Sequence, residues 1–246
     1  MPLVWRPVYL YQDTNMNENY FTELLYEDYP NIQFIYIVDK INEYSFKKIL
    51  ELKYPKNKIK IILISLFIKL EILTKLIENN SDKTSYFKKI TYITPKTNID
   101  FKKEIKEIIK NNTSDYILFL YNDHIIENKK LIKLLIKKQK DIISPMLLQK
   151  GTQFSNFWGG IGPKGFYRRS WDYMEIVNYE KTGYWNVPYI NGTILIKNCK
   201  FEIISNLMEE KIYNEDFDMY FCRIMRNKCI FMFTTNLDQY GYILKS

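Results

Sequence analysis

Along the first 140 or so residues, short apolar runs rich in β-branched and aromatic residues alternate with stretches whose apolar positions recur at helical spacing. The runs predict strands at Trp5–Tyr11, Ile32–Asp39, Lys58–Ser65, Ile90–Ile93 and Tyr116–Leu120. The periodic stretches predict helices at Asn17–Tyr26, Tyr44–Leu52, Ile68–Glu78, Asp100–Lys110 and Lys129–Lys138. Such alternation predicts a parallel sheet covered by helices on both faces, with ligands bound at the carboxyl ends of its strands. Asp39 and Asp123 fall at two such ends. After Ile142 the pattern changes to Gly, aromatics and turn residues. There TGYWNVPYINGTILIK predicts a turn and two strands paired as a hairpin around Asn191-Gly192. A helix is expected at Phe217–Arg226 and a strand at Cys229–Thr234. With no repeat and no evident linker, residues 1–246 read as one domain. It has a nucleotide-binding α/β half, 1–142, and a loop-rich half completing the cleft, 143–246.

Composition narrows the class. At 246 residues, 46% hydrophobic and 16% aromatic, the chain can bury a sizeable core, which excludes a disordered polypeptide. The net charge of +8 favours anionic ligands such as nucleotides. Abundant Lys, Ile, Asn and Tyr throughout fit AT-rich coding as readily as a selected basic face, however, and lysines along Asn128–Lys140 suit a solvated helix surface. No nucleic-acid motif accompanies the charge, so no nucleic-acid partner is expected. Cys199, Cys222 and Cys229 lack metal-ligand spacing, and an odd number fits a reducing compartment. The opening MPLVWRPVYLYQD lacks the pattern of a signal peptide. The apolar stretch Ile59–Ile77 is broken by Lys69, Glu71 and Lys75, as in a strand followed by an amphipathic helix. A soluble, cytoplasmic protein without a membrane partner is expected, and the sequons at Asn111, Asn112 and Asn191 carry no weight.

Candidate chemistry sits in a few places. SDYILFLYND, Ser114 to Asp123, is a buried strand ending in a single acid, which suits a turn or cap as well as a ligand. His124, the only histidine, follows it. NEDFDMYFC places Glu215, Asp216 and Asp218 at a helix start, where acids complement the dipole and cap amides but also serve as catalytic carboxylates. Trp158, Trp171 and Trp185 lie in loop-like contexts, which favours stacking on a sugar or base over simple packing.

The second half resembles a known family. SNFWGGIGPKGFYRRSWDYMEIV and GYWNVPYINGTILIK are similar to segments of the glycosyltransferase-like domains of procollagen lysyl hydroxylases and, more distantly, of the collagen galactosyltransferases. Ser155 to Gly159, Tyr167, Arg169, Ser170, Asp172-Tyr173 and Trp185 to Tyr189 carry the match. Asp216-x-Asp218-Met219, Phe221-Cys222, Asn236 and Gly241 extend it, and Asp28-Tyr29-Pro30 and the strand before Asp123 continue it upstream. The composition fits a virus-encoded, stand-alone member.

The resemblance implies an α/β protein of GT-A type, with a single Rossmann-like mixed sheet and helices on both faces. It implies a UDP-sugar donor and Mn²⁺ (or Mg²⁺), which would neutralise the leaving diphosphate. Two departures stand out. The family's Asp-x-Asp falls on Tyr121-Asn122-Asp123, so the first acid is tyrosine, and Asp238-Gln239 stands where relatives show His-Glu or Glu-Glu. On this basis Asp123 and Asp238 are expected to hold the metal. Asp39 would meet the ribose or uracil, with Tyr121 stacking or hydrogen-bonding there. Trp158 and Asn191 would flank the donor sugar, Trp185 and Asn186 would shape the acceptor side, and Asp218, then Asp216, would supply the catalytic carboxylate. The implied reaction moves a hexose, glucose preferred, from a UDP-sugar to galactosyl-hydroxylysine of a collagen-like glycoprotein. Galactosyl transfer from UDP-galactose to hydroxylysine and a non-catalytic collagen-binding accessory domain are the alternatives. The oligomeric state stays open, a homodimer among the options.

Overall fold

The computed structural model describes residues 29–244 except 41, 165 and 209–214, so the strand and helix expected before residue 29 lie outside the described residues. β1 (Ile32–Ile37) is buried at every position, as expected of a strand covered on both faces. It is followed by α1 (Glu43–Leu50), β2 (Ile59–Ile64), α2 (Leu70–Glu78), the short α3 (Ser81–Thr84), β3 (Lys89–Ile93), α4 (Asn98–Lys110) and β4 (Tyr116–Tyr121). Asn42 and Thr97 start α1 and α4 by accepting the backbone N–H of Ser45 and Asp100, each at 3.1 Å. Next come β5 (His124–Ile126), α5 (Leu131–Lys137), β6 (Ile142–Pro145), β7 (Leu148–Gln149), β8 (Gly160–Ile161), β9 (Tyr167–Arg168) and α6 (Tyr173–Val177). The described chain ends through β10 (Tyr184–Asn186), β11 (Ile194–Lys197), α7 (Phe201–Leu207), α8 (Phe217–Asn227), β12 (Phe233–Thr235) and β13 (Gly241–Ile243).

Eight strands form one sheet in the order β10-β12-β6-β11-β4-β1-β2-β3. Alternate residues of each strand enter opposite cores. In β4, Ile117 and Phe119 pack with α4, α7 and α8, whereas Leu118 and Leu120 pack with α1, α2 and α5. The sheet is mixed. β3-β2-β1-β4 run parallel, as do β6 and β12, but β11 lies antiparallel between β4 and β6, and β10 antiparallel to β12. The parallel arrangement expected from the alternating pattern therefore holds for β3-β2-β1-β4, where that alternation lies, and breaks at β11.

Two local expectations are corrected. The strands flanking Asn191-Gly192 form, but they do not pair as a hairpin: β10 joins β12 and β11 joins β4 and β6. Apolar partners from distant segments outcompete the local turn. The last strand of the large sheet begins at Phe233, because Cys229 sits at φ +54 and redirects the chain after α8. Strands β6 and β13 and helices α6 and α7 carried too short a pattern to be read in advance. No helix among the described residues is long and apolar enough to cross a membrane.

Candidate donor cleft at the sheet switch point

The strand order reverses between β1 and β4. β2 and β3 continue outward from β1, while the later strands build from the far side of β4. In open α/β sheets, ligands bind in the crevice at the carboxyl ends of the strands at such a point. Ile37 and Tyr121 are partners at the last rung, which places Asp39 and Asp123 just beyond it on either side. Asn122, 4% exposed, braces this end. Its N–H donates to Ile37 O at 3.0 Å, its Nδ2 donates to Lys40 O, and its carbonyl O accepts from Asn42 Nδ2 at 3.2 Å. The middle residue of the altered motif is therefore structural, a role that could be assigned only after the β1–β4 pairing was known. Burial, reinforced by the nearby Asp123 charge, raises the Asp39 carboxyl above its ordinary range, while Lys40 opposes the shift.

Asp218 reaches the same crevice from the first turn of α8. It is 8% exposed, and burial pushes its pKa up to about 7, with the Asp216 and Asp123 charges acting in the same direction. The Tyr121 hydroxyl donates to Asp218 Oδ1 at 3.3 Å, and the Gly192 N–H also bonds this carboxylate. Burial first, then Asp218, raises the Tyr121 phenol well above its usual value, so it remains a donor at neutral pH. Asp216, the residue preceding α8, makes no capping hydrogen bond with its side chain. Neither acid thus follows the simple pattern of a solvated cap. Gly192 is at φ +75, and a Cβ there would overlap the His124 ring. His124 is itself buried, with Nδ1 3.1 Å from Thr193 Oγ1, and burial lowers its pKa. This packing makes His124 a support for the 191–193 turn.

The start of α8 is clamped. Lys102 of α4, 1% exposed, donates from Nζ to Glu215 O, Arg223 pairs with Glu215 at 2.6 Å, and the Phe101 and Phe217 rings meet edge to face at 5.7 Å. Nothing in the sequence marked Lys102 among the 36 basic residues, because its partner lies 113 residues away.

The other expected site residues divide. Trp158 is partly buried, bridges Tyr189, and stacks under the Arg169 guanidinium, whose carbon lies 3.8 Å from its ring centroid. Tyr189 meets Tyr167 at 4.4 Å and feels the Asp218 charge, so an aromatic ladder runs from Trp158 toward the carboxylates. Asn191 adjoins Gly192, and its Oδ1 is buried without a partner. Asn186 also has an unpartnered Oδ1, but it lies on the edge strand β10. Trp185, 4% exposed, packs edge to face on Phe157 in the core, and Trp171, 76% exposed, stands in solvent. Asp238 is not brought to Asp123. Leu244 N–H bonds Asp123 O, and β13 runs back along β5 from there, with Gly241 opposite Ile126. Asp238 lies beyond that far end, roughly 15–20 Å along the chain from Leu244 at strand rise. It accepts from the Tyr240 hydroxyl at 3.2 Å and faces Lys138 at 3.9 Å.

No group of three potential ligands assembles around a metal position among the described residues. With Asp218 already bonded by Tyr121 and Gly192, Asp123 remains as the accessible acid at the end of β4, with Asp39 beside it. Such a set does not build a closed cage, but it fits an oxygen-seeking ion that takes one or two carboxylates and completes its shell with diphosphate oxygens and water.

A model of the "Glycosyltransferase family 25, N-terminal domain" matches residues 78–246, and so covers every element from the end of α2 onward. The chain belongs to this family. It is 36% identical over 138 residues to procollagen-lysine,2-oxoglutarate 5-dioxygenase 1 of Gallus gallus, covering 55% of this chain and 19% of that protein. Against the procollagen lysyl hydroxylase and glycosyltransferase of Acanthamoeba polyphaga mimivirus it is 37% identical over 135 residues, covering 53% and 15%. A Caenorhabditis elegans multifunctional procollagen lysine hydroxylase and glycosyltransferase matches at 33% over 210 residues, 81% of this chain and 28% of the relative. The chain thus spans less than a third of the length of these relatives. Among solved structures, GalNAc-T7 with UDP, GalNAc and Mn²⁺ superimposes with a TM-score of 0.57 at 11% identity, over 89% of this chain and 45% of the other. The mannosyltransferase PcManGT from Pyrobaculum calidifontis with GDP-Man and Mn²⁺ gives 0.52 at 9% identity, over 91% and 61%. This family 25 domain therefore has the GT-A fold, and the resemblance to the lysyl hydroxylases drawn from its second half holds.

Proposed function

We propose that this family 25 domain transfers a hexose from a UDP-sugar to collagen-like chains, glucose onto galactosyl-hydroxylysine being preferred. The observation that carries the reading is the meeting of Asp39, Tyr121, Asp123 and Asp218 at the β1/β4 switch point, through the Ile37–Tyr121 rung and the Tyr121–Asp218 hydrogen bond. Asp39 is assigned to the nucleoside, and Asp123 to Mn²⁺ or Mg²⁺ on the donor diphosphate. A bound ion there would supply positive charge to the leaving group. Tyr121 has exchanged metal ligation for holding Asp218. Asn191 and Trp158 are assigned to the sugar. The ladder through Tyr189 is assigned to the acceptor side, a role that Trp185, inside the core, is badly placed to share.

A carboxylate with a pKa about 7 is poised to take the acceptor hydroxyl's proton near neutrality if the anomeric configuration inverts. With retention, the same carboxylate would stabilise positive charge developing on the sugar or orient the acceptor. Asp216 is its nearest substitute. The decisive experiment incubates the protein with UDP-glucose or UDP-galactose, Mn²⁺, and peptides carrying hydroxylysine or galactosyl-hydroxylysine, and reads the products by mass. A gain of one hexose on the galactosylated peptide is expected. No gain on either peptide with either donor would refute the transferase reading.

One observation favours a second reading. Tyr121 replaces an acid, and no three-ligand group forms among the described residues. A non-catalytic accessory domain that binds collagen-like chains would show peptide binding without UDP release.

A further inference from the structure

Trp158 stands at the end of a tightly fixed loop. Asn156 anchors that loop, its Oδ1 accepting from the Leu147 N–H at 2.7 Å and its Nδ2 donating to Pro145 O at 3.0 Å. Phe157, fully buried, packs on Tyr173 and Trp185. The next side chain, Trp158, stays partly exposed.

A cation holds that indole. The Arg169 guanidinium carbon lies 3.8 Å from the Trp158 ring centroid, 4.4 Å from that of Tyr173 and 4.9 Å from that of Phe154. The same group donates from Nη2 to Ser155 O at 2.9 Å and from Nη1 to Phe157 O. It therefore grips the backbone on both sides of Asn156 while it stacks on the side chain that follows. Among the described residues no carboxylate pairs with Arg169, so ring faces and carbonyls take up its charge. A planar fork that stacks and donates in two directions is available to arginine, whereas the lysine ammonium is a compact point charge.

The indole is also tied toward the carboxylates. Trp158 forms a backbone bridge with Tyr189, and their rings meet nearly at right angles at 6.4 Å. Tyr189 in turn feels the Asp218 charge. Resting on the assignment of Trp158 to the donor sugar, we propose that Arg169 is a positioning residue, which acts through Trp158 to set the indole against the hexose of the UDP-sugar. Its effect then falls on the hexose and not on the nucleoside diphosphate.

Calorimetry with Mn²⁺ tests this on the full chain, using UDP, UDP-glucose and UDP-galactose without acceptor. Arg169→Lys should leave UDP affinity unchanged and weaken binding of a UDP-hexose about tenfold or more, a loss of the size that misplacing a contact by about 1 Å can cause. Trp158→Ala should act in the same direction. Adding Arg169→Lys to Trp158→Ala should then change nothing further, because residues acting through one contact are not additive. The inference alone is overturned if the parent binds UDP and a UDP-hexose but Arg169→Lys leaves their affinity ratio unchanged. Equal weakening of both ligands would reduce Arg169 to a general structural role and overturn it too, as would full additivity in the double variant or an unchanged ratio in Trp158→Ala. A parent that binds neither UDP nor UDP-hexose would instead refute the donor-cleft reading, and the inference with it.

Discussion

Asp218 is the carboxylate to which the proposed chemistry is assigned, and its environment allows signed predictions. Replacing it with Asn keeps the shape and removes the charge, so turnover should fall about 10²- to 10⁴-fold if the group is a general base. A UDP-release assay at matched folding measures this, and unchanged turnover would remove Asp218 from the mechanism. Its pKa, raised from 3.8 to about 7, also links folding to pH. The folded state holds the proton over that interval while the unfolded state has lost it, so stability falls as pH rises from the lower value through the upper one. Asp218→Asn mimics the protonated carboxyl. Its melting temperature should match the parent's in acid and exceed it at pH about 8. Equal pH dependence in the two proteins would show that the carboxyl is not held out of water. NEDFDMYFC marks this acid as a candidate but leaves it balanced against a helix cap. Its burial and the Tyr121 hydroxyl set it apart from a solvated cap.

Among the elements, the 191–193 turn and the start of α8 determine whether Asp218 stands in the cleft. Gly192 combines a left-handed φ with contact against the His124 ring. Gly192→Ala should cost more than the roughly 1–2 kcal/mol of the backbone conformation alone, because the ring must also move. Denaturant titration measures this cost. The Asn-Gly pair correctly signalled a turn, but the glycine is required by the close approach of a histidine on β5 rather than by a hairpin. Lys102→Met should destabilise the protein by roughly 1.5–3 kcal/mol, since it removes a charged hydrogen bond to Glu215 O. A melting temperature equal to the parent's would show that the clamp contributes nothing.

For the molecule as a whole, separation matters as much as convergence. The expected pairing of Asp123 with Asp238 fails because β13 runs antiparallel to β5 and carries Asp238 to the other end, beside Lys138 and Tyr240. Asp238→Asn should therefore leave metal-dependent UDP affinity unchanged, whereas Asp123→Ala should weaken it. Because the cleft offers only carboxylates at two strand ends, Mn²⁺ should bind appreciably only together with UDP. Calorimetry of Mn²⁺ into the free protein and into its UDP complex separates the cases, and equal affinity in both would point to a complete protein site.

The sequence by itself determined the alternation of strands and helices from residue 32 through residue 142, since period-two and helical burial are local consequences of covering a strand on two faces and a helix on one. It also determined the family, through FWGG, WNVPY and DFDM, and it placed Asp39 and Asp123 at strand ends. Only the tertiary structure decided that β11 enters the sheet antiparallel, that Asn122 braces the switch point, and that Lys102 clamps α8. It also set Tyr121 against Asp218 across 97 residues and left Asp238 apart. The physical reason is the same in each case. Local burial is written in the spacing of neighbouring residues, but the choice among distant hydrogen-bond and charge partners is made only when the sheet order brings strand ends together.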